Sequence, residues 1–135
     1  MIVNHLLNYE NVTLVACNNK LDLIQQLKSF GIKVNAIDYD PKFYNLKESC
    51  YEIKDFIFDK VYFGECVVNF NCEKTYPLGM VYTGDMILIG DNDQHNGDCN
   101  PISSCEQLIE QNKIIHVYES YIEEDHFIVY GTNIS

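Results

Sequence analysis

The sequence predicts a Rossmann-like α/β fold, a three-layer sandwich whose mostly parallel sheet of about seven strands ends in an antiparallel hairpin. Three observations lead to this prediction. Strand-like and helix-like segments alternate along most of the chain. Several strand-like segments are almost continuously apolar, which is typical of parallel strands covered by helices on both faces. Two β-prone segments near the C-terminus are joined by a link so short that only an antiparallel hairpin can form.

The first predicted unit is a strand, a helix and a second strand. Val12–Cys17 is the first apolar run, and Leu21–Phe30 follows with apolar residues at helical spacing. Gly31 then stands where helices often end in a left-handed residue. Lys33–Asp38 is the second apolar run, so this stretch predicts a βαβ unit.

The middle of the chain predicts two further helices and three further strands. Pro41 suits the first turn of a helix after Asp40, and Ser103 or Ser104 can cap a later helix, with Glu106 completing a capping box. The predicted helices are Pro41–Glu48 and Ser103–Asn112, and the predicted strands are Tyr51–Phe58, Glu65–Asn71 and Asp85–Asp91. The C-terminal hairpin pairs Ile114–Ile122 with His126–Tyr130 through three acidic residues.

Length and composition indicate one domain over residues 1–135. The hydrophobic fraction of 47% is typical of a globular protein. No apolar run approaches the roughly 18 residues of a membrane span. Met1–Tyr9 also lacks the basic region of a secretion signal. We therefore expect no membrane association and a cytoplasmic location.

The charge is strongly negative and excludes one class of partner. The formal net charge is −11, and all nine cationic residues are lysines. Without arginine there are no bidentate phosphate contacts, so direct nucleic-acid binding is not expected. The acidic surface has two interpretations, which are solubility alone or docking onto a basic protein partner.

The six cysteines predict reduced thiols and no metal site. None forms a C-x-x-C pair, and Cys17 and Cys66 lie within apolar runs. The six positions are Cys17, Cys50, Cys66, Cys72, Cys99 and Cys105.

The segment Val34–Pro41 carries the strongest functional signal. It is an apolar strand that runs into an acidic turn, and nucleotide-binding α/β proteins place there the carboxylate that binds a ribose. Asp38 is that carboxylate, although it could instead cap the following helix. The loop upstream departs from the usual pattern, because Asn18-Asn19-Lys20 contains no glycine.

The order of elements resembles that of the class I S-adenosylmethionine-dependent methyltransferases, whose sheet ends in such a hairpin. Two segments, Glu65–Leu78 and Gly84–Asp93, are similar to the fourth and fifth strands of small methyltransferase-like proteins of bacteriophages. The similarity extends from about residue 12 to about residue 131, so it implies a single methyltransferase-like domain. For a phage protein, the expected location is the host cytoplasm.

The resemblance implies S-adenosylmethionine as the cofactor and assigns residues to its nucleoside and sulfonium. Asp38 would accept both ribose hydroxyls, and Asp55 or Asp59 would hold the adenine amino group. Asn69 would lie beside the sulfonium, unless it only satisfies backbone groups at the end of its strand.

The same resemblance places the loop after the first strand at the methionine end of the cofactor. Its residues there would be Cys17, Asn18 and Lys20, with Lys20 able to pair with the cofactor carboxylate. The family carries glycines in this loop, and side chains here would crowd the cofactor.

Two catalytic candidates follow the fourth predicted strand. Glu73 is the best-placed general base, and Tyr76 is a substrate-contact candidate at the mouth of the pocket. Glu73 could also be a solvated residue on a short helix, and the histidines are scattered.

Two functions remain from the sequence. One is a methyltransferase whose acceptor is unknown. The alternative is an inactive methyltransferase fold that serves as an acidic protein-binding modulator during phage infection.

Overall fold

A computed structural model of the chain describes residues 2–17, 20–38, 51–53, 55–91, 100 and 102–135. Its strands form one sheet in the order β3-β2-β1-β4-β5-β7-β6. The strands are β1 Asn11–Val15, β2 Lys33–Asp38, β3 Tyr51–Ile53, β4 Cys66–Asn69, β5 Asp85–Asp91, β6 His116–Glu123 and β7 His126–Thr132. The α-helices are α1 Ile2–Leu6, α2 Leu21–Ser29 and α3 Cys105–Gln111, and two short 3-10 helices span Cys72–Lys74 and Leu78–Met80.

The sheet is mixed, and its C-terminal part is antiparallel. β1 pairs in parallel with β2 and β4, and the outer pairs β2–β3 and β4–β5 are also parallel. β7 lies between β5 and β6 and runs antiparallel to both. The predicted C-terminal hairpin is therefore confirmed.

Apolar side chains pack on both faces of the sheet. The face under α1 and α2 buries Leu6, Leu14, Ile24, Leu27, Val68 and Ile87. The face under α3 and the 3-10 helices buries Ile37, Val67, Leu78, Met86, Leu88 and Leu108. This two-sided burial explains why the strands read as continuous apolar runs.

The helix ends follow local sequence, with one correction. Gly31 adopts φ 81 after α2, and its N–H donates to the Lys28 carbonyl at 2.9 Å, as a C′ glycine should. Ser104 caps α3 by accepting from the Gln107 N–H at 3.1 Å. Glu106 does not complete the capping box, because Gln107 is the residue at the N3 position.

Two parts of the fold differ from the sequence prediction. The predicted strand Tyr51–Phe58 is wrong beyond Ile53, since the chain turns at residues 56–58. Helix α1 was not predicted, and its five residues are too few for a periodic apolar signal. The predicted helix Pro41–Glu48 lies outside the described residues. Among the described helices, none has the length and apolar character needed to span a membrane.

Candidate functional site

Strands β2, β1 and β4 end side by side at one edge of the sheet. Val15 of β1 lies opposite Ile37 on one side and Asn69 on the other. The strand order reverses across β1, because β2 and β3 lie on one side while β4 and β5 lie on the other. Open α/β sheets bind ligands in the crevice that such a reversal leaves at the carboxyl ends of the strands. The crevice beside β1 is therefore the candidate site.

The loop that leaves β1 is tied to both neighbouring strands. Cys17 is fully buried, and its Sγ lies 3.6 Å from the carbonyl oxygen of Ile37. Asn71 donates from Nδ2 to the carbonyl oxygen of Ala16 at 2.7 Å. Ala16 adopts φ 50, in the left-handed region that favours glycine. The loop thus makes a glycine-like bend with an alanine, and Asn18 lies outside the described residues.

Asp38 and Lys20, two of the predicted cofactor-binding residues, are side chains of opposite charge at this edge. Asp38 is the last residue of β2, and only 4% of it is exposed. Lys20 precedes α2, and its Nζ lies 5.2 Å from the centroid of the Phe70 ring. A cation in that position is attracted by the face of the ring.

Asn69 organises the segment that follows β4. The residue is buried, and its Nδ2 donates to Thr75 Oγ1 at 2.9 Å. Its Oδ1 accepts from the Asn71 N–H at 3.1 Å. Both ends of the amide therefore bond within the chain, as the structural alternative expected, while a role beside a sulfonium stays a prediction.

The acidic turn after β3 is held by its own carboxylates. Asp55 Oδ1 accepts from the Ile57 N–H at 2.9 Å. Asp59 Oδ2 accepts from the Asp55 N–H at 2.7 Å. These bonds explain why the chain turns here, and the adenine-binding role of either aspartate stays a prediction.

The two predicted catalytic residues differ sharply in exposure. Glu73 is 3% exposed, and its Oε2 accepts from the Asp91 N–H at 3.3 Å. The alternative that Glu73 is a solvated surface residue is therefore wrong. Burial raises the pKa of the neighbouring Cys72 thiol, and the charge of Glu73 raises it further. Tyr76 is 51% exposed and meets the Phe58 ring edge-to-face at 6.5 Å. Both catalytic roles stay predictions.

A groove of about 360 Å³ opens next to the crevice. It lies over the carboxyl ends of β4 and β5 and the start of β7, rather than over β1 and β2. The apolar lining residues are Ile2, Phe70, Ile89 and Ile128, and the polar ones are Lys20, Asn71, Glu123, Glu124 and His126. A cavity of this volume is large enough for a small molecule.

His126 and Asp91 are functional candidates that sequence reasoning missed. They lie opposite each other in the β5–β7 pairing, with His126 Nε2 3.7 Å from Asp91 Oδ2. His126 Nδ1 lies 2.9 Å from the carbonyl oxygen of Glu124. The available signal was that Asp91 ends one apolar run and His126 begins another, but only the antiparallel register brings them together. Another histidine, His95, lies outside the described residues.

The cysteines in the described part of the chain show no metal arrangement. Among these residues, no group of three or more His, Cys, Asp or Glu side chains is placed to hold a metal ion. The free thiols there include the buried Cys17, Cys66 and Cys72 and the half-buried Cys105.

One solved structure with a similar fold is a crystal structure from Listeria monocytogenes, provisionally described as an S-adenosylmethionine-dependent methyltransferase. It is 13% identical, the match covers 95% of this chain and 72% of that one, and the TM-score is 0.48. No family model matches the chain, and no curated protein matches it in sequence. At this distance the likeness assigns no activity to this chain.

Proposed function

We propose that this chain is a class I methyltransferase-like protein that binds S-adenosylmethionine in the crevice beside β1. The observation that carries the proposal is the reversal of strand order across β1, with the buried Asp38 at the end of the adjacent strand. In this proposal the fold is the Rossmann-like three-layer sandwich of that family. The bacteriophage origin and the host cytoplasm belong to the same proposal and rest on the sequence resemblance.

Asp38 would bind the ribose of the cofactor. A carboxylate can accept hydrogen bonds from both hydroxyls of a cis-diol, and such charged bonds strengthen when water is excluded. The burial of Asp38 at the carboxyl end of β2 supports this role. Asp55 or Asp59 would reach the adenine from the turn after β3.

The methionine end would lie toward β4 and the groove. Lys20 would supply an ammonium for the cofactor carboxylate, and the buried Cys17 would lie behind this end of the cofactor. Asn69 fixes the path of the chain after β4 beside the expected sulfonium. When bound, the cofactor supplies an electrophilic methyl group, and the residues of this chain hold and orient it.

Calorimetric titration with S-adenosylmethionine and S-adenosylhomocysteine tests the proposal. We expect micromolar binding of at least one ligand to the unmodified protein. Asp38→Asn should weaken binding by about 1–3 kcal/mol, the scale of lost charged hydrogen bonds. The matched control is Asp22→Asn, which makes the same substitution at an exposed residue of α2 and should leave affinity unchanged. Absence of binding at millimolar ligand by a folded protein would reject the proposal.

A second candidate function is supported by the outer edge of the sheet. β6 is the last strand in the order, and its residues are exposed apart from the half-exposed Tyr121. Tyr118 and Ile122 are 52% and 66% exposed. Residues 114–135 contain four acidic residues and no lysine. Lysine is a usual protection of edge strands against pairing, so we propose a docking edge for a basic extended segment of a partner protein.

Peptide binding separates this candidate from the first. A labelled alternating Lys-Val octapeptide should bind more tightly than a Glu-Val octapeptide in fluorescence anisotropy. Ile122→Lys should abolish that binding, whereas Met80→Lys, at a side chain of similar exposure (65%), should not. Equal loss in both variants would indicate non-specific attraction to the acidic protein and reject the docking edge.

A further inference from the structure

We propose that the groove between Phe70, Ile89 and the β6–β7 turn is the methyl-acceptor site, and that its acceptor is a small amphipathic amine. This inference rests on the proposed function, because it places the acceptor next to the expected methionine end of the cofactor. It adds the chemical class of the acceptor, which neither the sequence nor the fold specifies.

The floor of the groove is apolar. Phe70 directly follows β4 and is only 9% exposed, while Ile128 of β7 is 5% exposed. Ile89 of β5 and Ile2 of α1 also line the groove and pack against the same core. These side chains favour an apolar body in the acceptor, since burying it releases water from both surfaces. The volume of about 360 Å³ limits that acceptor to a small molecule.

The rim of the groove is predominantly acidic. Glu123 and Glu124 line it from the β6–β7 turn, and Lys20 is the one ammonium group among the lining residues that the structure describes. Two carboxylates against one ammonium give this surface a net negative charge. Lys20 lies at the β4 side, with its Nζ near the Phe70 ring. An amine is therefore attracted to the end at the turn and repelled from the end at Lys20.

The turn that carries these carboxylates has an uncommon backbone. Glu124 and Asp125 adopt φ 49 and φ 64. Two-residue hairpin turns with two left-handed residues usually contain Asn-Gly or Asp-Gly, because other side chains are strained there. Glu124 is therefore strained in this conformation, whereas aspartate tolerates it better.

His126 is a positioning residue in this arrangement. Its Nδ1 lies 2.9 Å from the Glu124 carbonyl oxygen, so an N–H there donates to the turn and fixes it. Its Nε2 faces Asp91 at the end of β5, 3.7 Å from Oδ2. The ring thus links the acidic turn to the carboxyl end of β5.

The bound amine would present its opposite, polar end to Asn71 and the methyl donor. Where that polar end is a hydroxyl, as in tyramine, its oxygen would form a bond to the methyl carbon while the carbon–sulfur bond breaks. The electron pair stays on sulfur, which becomes a neutral thioether. The hydroxyl proton passes to water.

Tyramine and 4-ethylphenol provide a matched pair of probes, because they share a phenol and differ in the ammonium group. We would titrate each into the protein saturated with S-adenosylhomocysteine. Tyramine should bind at least about tenfold more tightly, the effect of one charged contact of moderate strength. The double variant Glu123→Gln, Glu124→Gln should remove this preference. Glu106→Gln, an exposed change on α3, is the control and should retain it.

Separate measurements test the positioning role of His126. His126→Ala should reduce the preference for tyramine and broaden the backbone amide signals of Glu124 and Asp125, while 4-ethylphenol affinity stays unchanged. His126→Gln, which keeps a donor near the Glu124 carbonyl, should restore part of the preference.

The outcomes separate this inference from the proposed function. Binding of S-adenosylhomocysteine with equal affinity for the two phenols would overturn the amine assignment and leave the cofactor site intact. A preference for tyramine without any cofactor binding would overturn the acceptor role together with the proposed function. Loss of the preference in the Glu106→Gln control would show that overall charge, and not the turn, attracts the amine.

Discussion

The polar side chains at the two ends of the sheet's strands have different surroundings. At the edge where the parallel strands begin, polar groups bond to one another. Tyr9 donates its hydroxyl to Asp85 Oδ2 at 2.6 Å, and the Tyr130 hydroxyl lies 2.6 Å from that of Tyr9. Glu65 Oε1 accepts from the Glu10 N–H at 2.8 Å. At the edge where the strands end, Lys20, Glu123, Glu124 and Asn71 instead line an open groove.

We therefore expect the polar residues at the first edge to contribute to stability and those at the second edge to contribute to ligand affinity. Side chains that satisfy each other close the first edge, so changes there should lower the free energy of unfolding without altering ligand affinity. The carboxylates of Glu123 and Glu124 border an open groove, and the carboxyl ends of strands are where open α/β sheets bind ligands. Variants at the two edges should therefore separate stability from affinity.

The largest expected effect lies at Gly79, in the 3-10 helix Leu78–Met80. A Cβ added there would lie 2.4 Å from the carbonyl oxygen of Asn112, which is backbone and cannot move aside. Gly79→Ala should therefore destabilise the protein by about 3 kcal/mol, at the upper end of overpacking costs. Urea unfolding measures this loss. Met80→Ala, at the adjacent and 65% exposed residue, should change stability little.

A second prediction concerns the Tyr9–Asp85 pair. Asp85→Asn removes a charged acceptor that both Tyr9 and Tyr118 use. We expect a loss of about 2 kcal/mol, the range of hydrogen bonds to charged groups. The affinity for S-adenosylhomocysteine should be unchanged. A fall in affinity with unchanged stability would contradict the separation of the two edges.

The third prediction is a loss of stability at alkaline pH. Burial raises the pKa of Tyr9, and its hydrogen bond to Asp85 raises it further. Burial also raises the pKa of Tyr82 and Tyr130. Because these folded-state pKa values exceed the unfolded value of about 10, the contribution is complete below that pH and decreases as the pH rises above it.

Unfolding free energies from pH 8 to pH 11, with tyrosinate absorbance as a second signal, measure this effect. Tyr9→Phe should reduce the slope above pH 10, because it removes one proton that the folded state retains. Ionisation of Tyr9 in the native protein at the pH of an unfolded tyrosine would contradict the prediction.

The local sequence pattern predicted most of the parallel strands, but it did not predict the groove. Lys33–Asp38 and Asp85–Asp91 have the predicted bounds, because each has a buried apolar centre, Ala36–Ile37 in the first and Met86–Leu88 in the second. The segment Phe56–Phe58 misled the prediction, since apolar residues there form a turn that Asp55 stabilises. The groove depends on the antiparallel register that brings His126 beside Asp91, and such long-range pairing leaves no local mark in the sequence.

The smallest expected effect tests the glycine-free loop itself. Ala16 is held at φ 50, where an alanine is strained and a glycine is not. Ala16→Gly should therefore stabilise the protein by about 0.5–1 kcal/mol, since the relief of strain exceeds the extra entropy of a glycine in the unfolded chain. Ala36→Gly in β2, a buried strand position, is the control and should destabilise.

The same variant reports on the crevice. The methyl group of Ala16 lies in the loop expected to face the cofactor, so its removal should leave S-adenosylhomocysteine affinity unchanged or increase it. Destabilisation by Ala16→Gly would mean that the left-handed bend after β1 is not a strained feature. The glycine-free loop after β1 would then follow a different backbone path from a glycine loop. Other residues would have to form the proposed cofactor crevice.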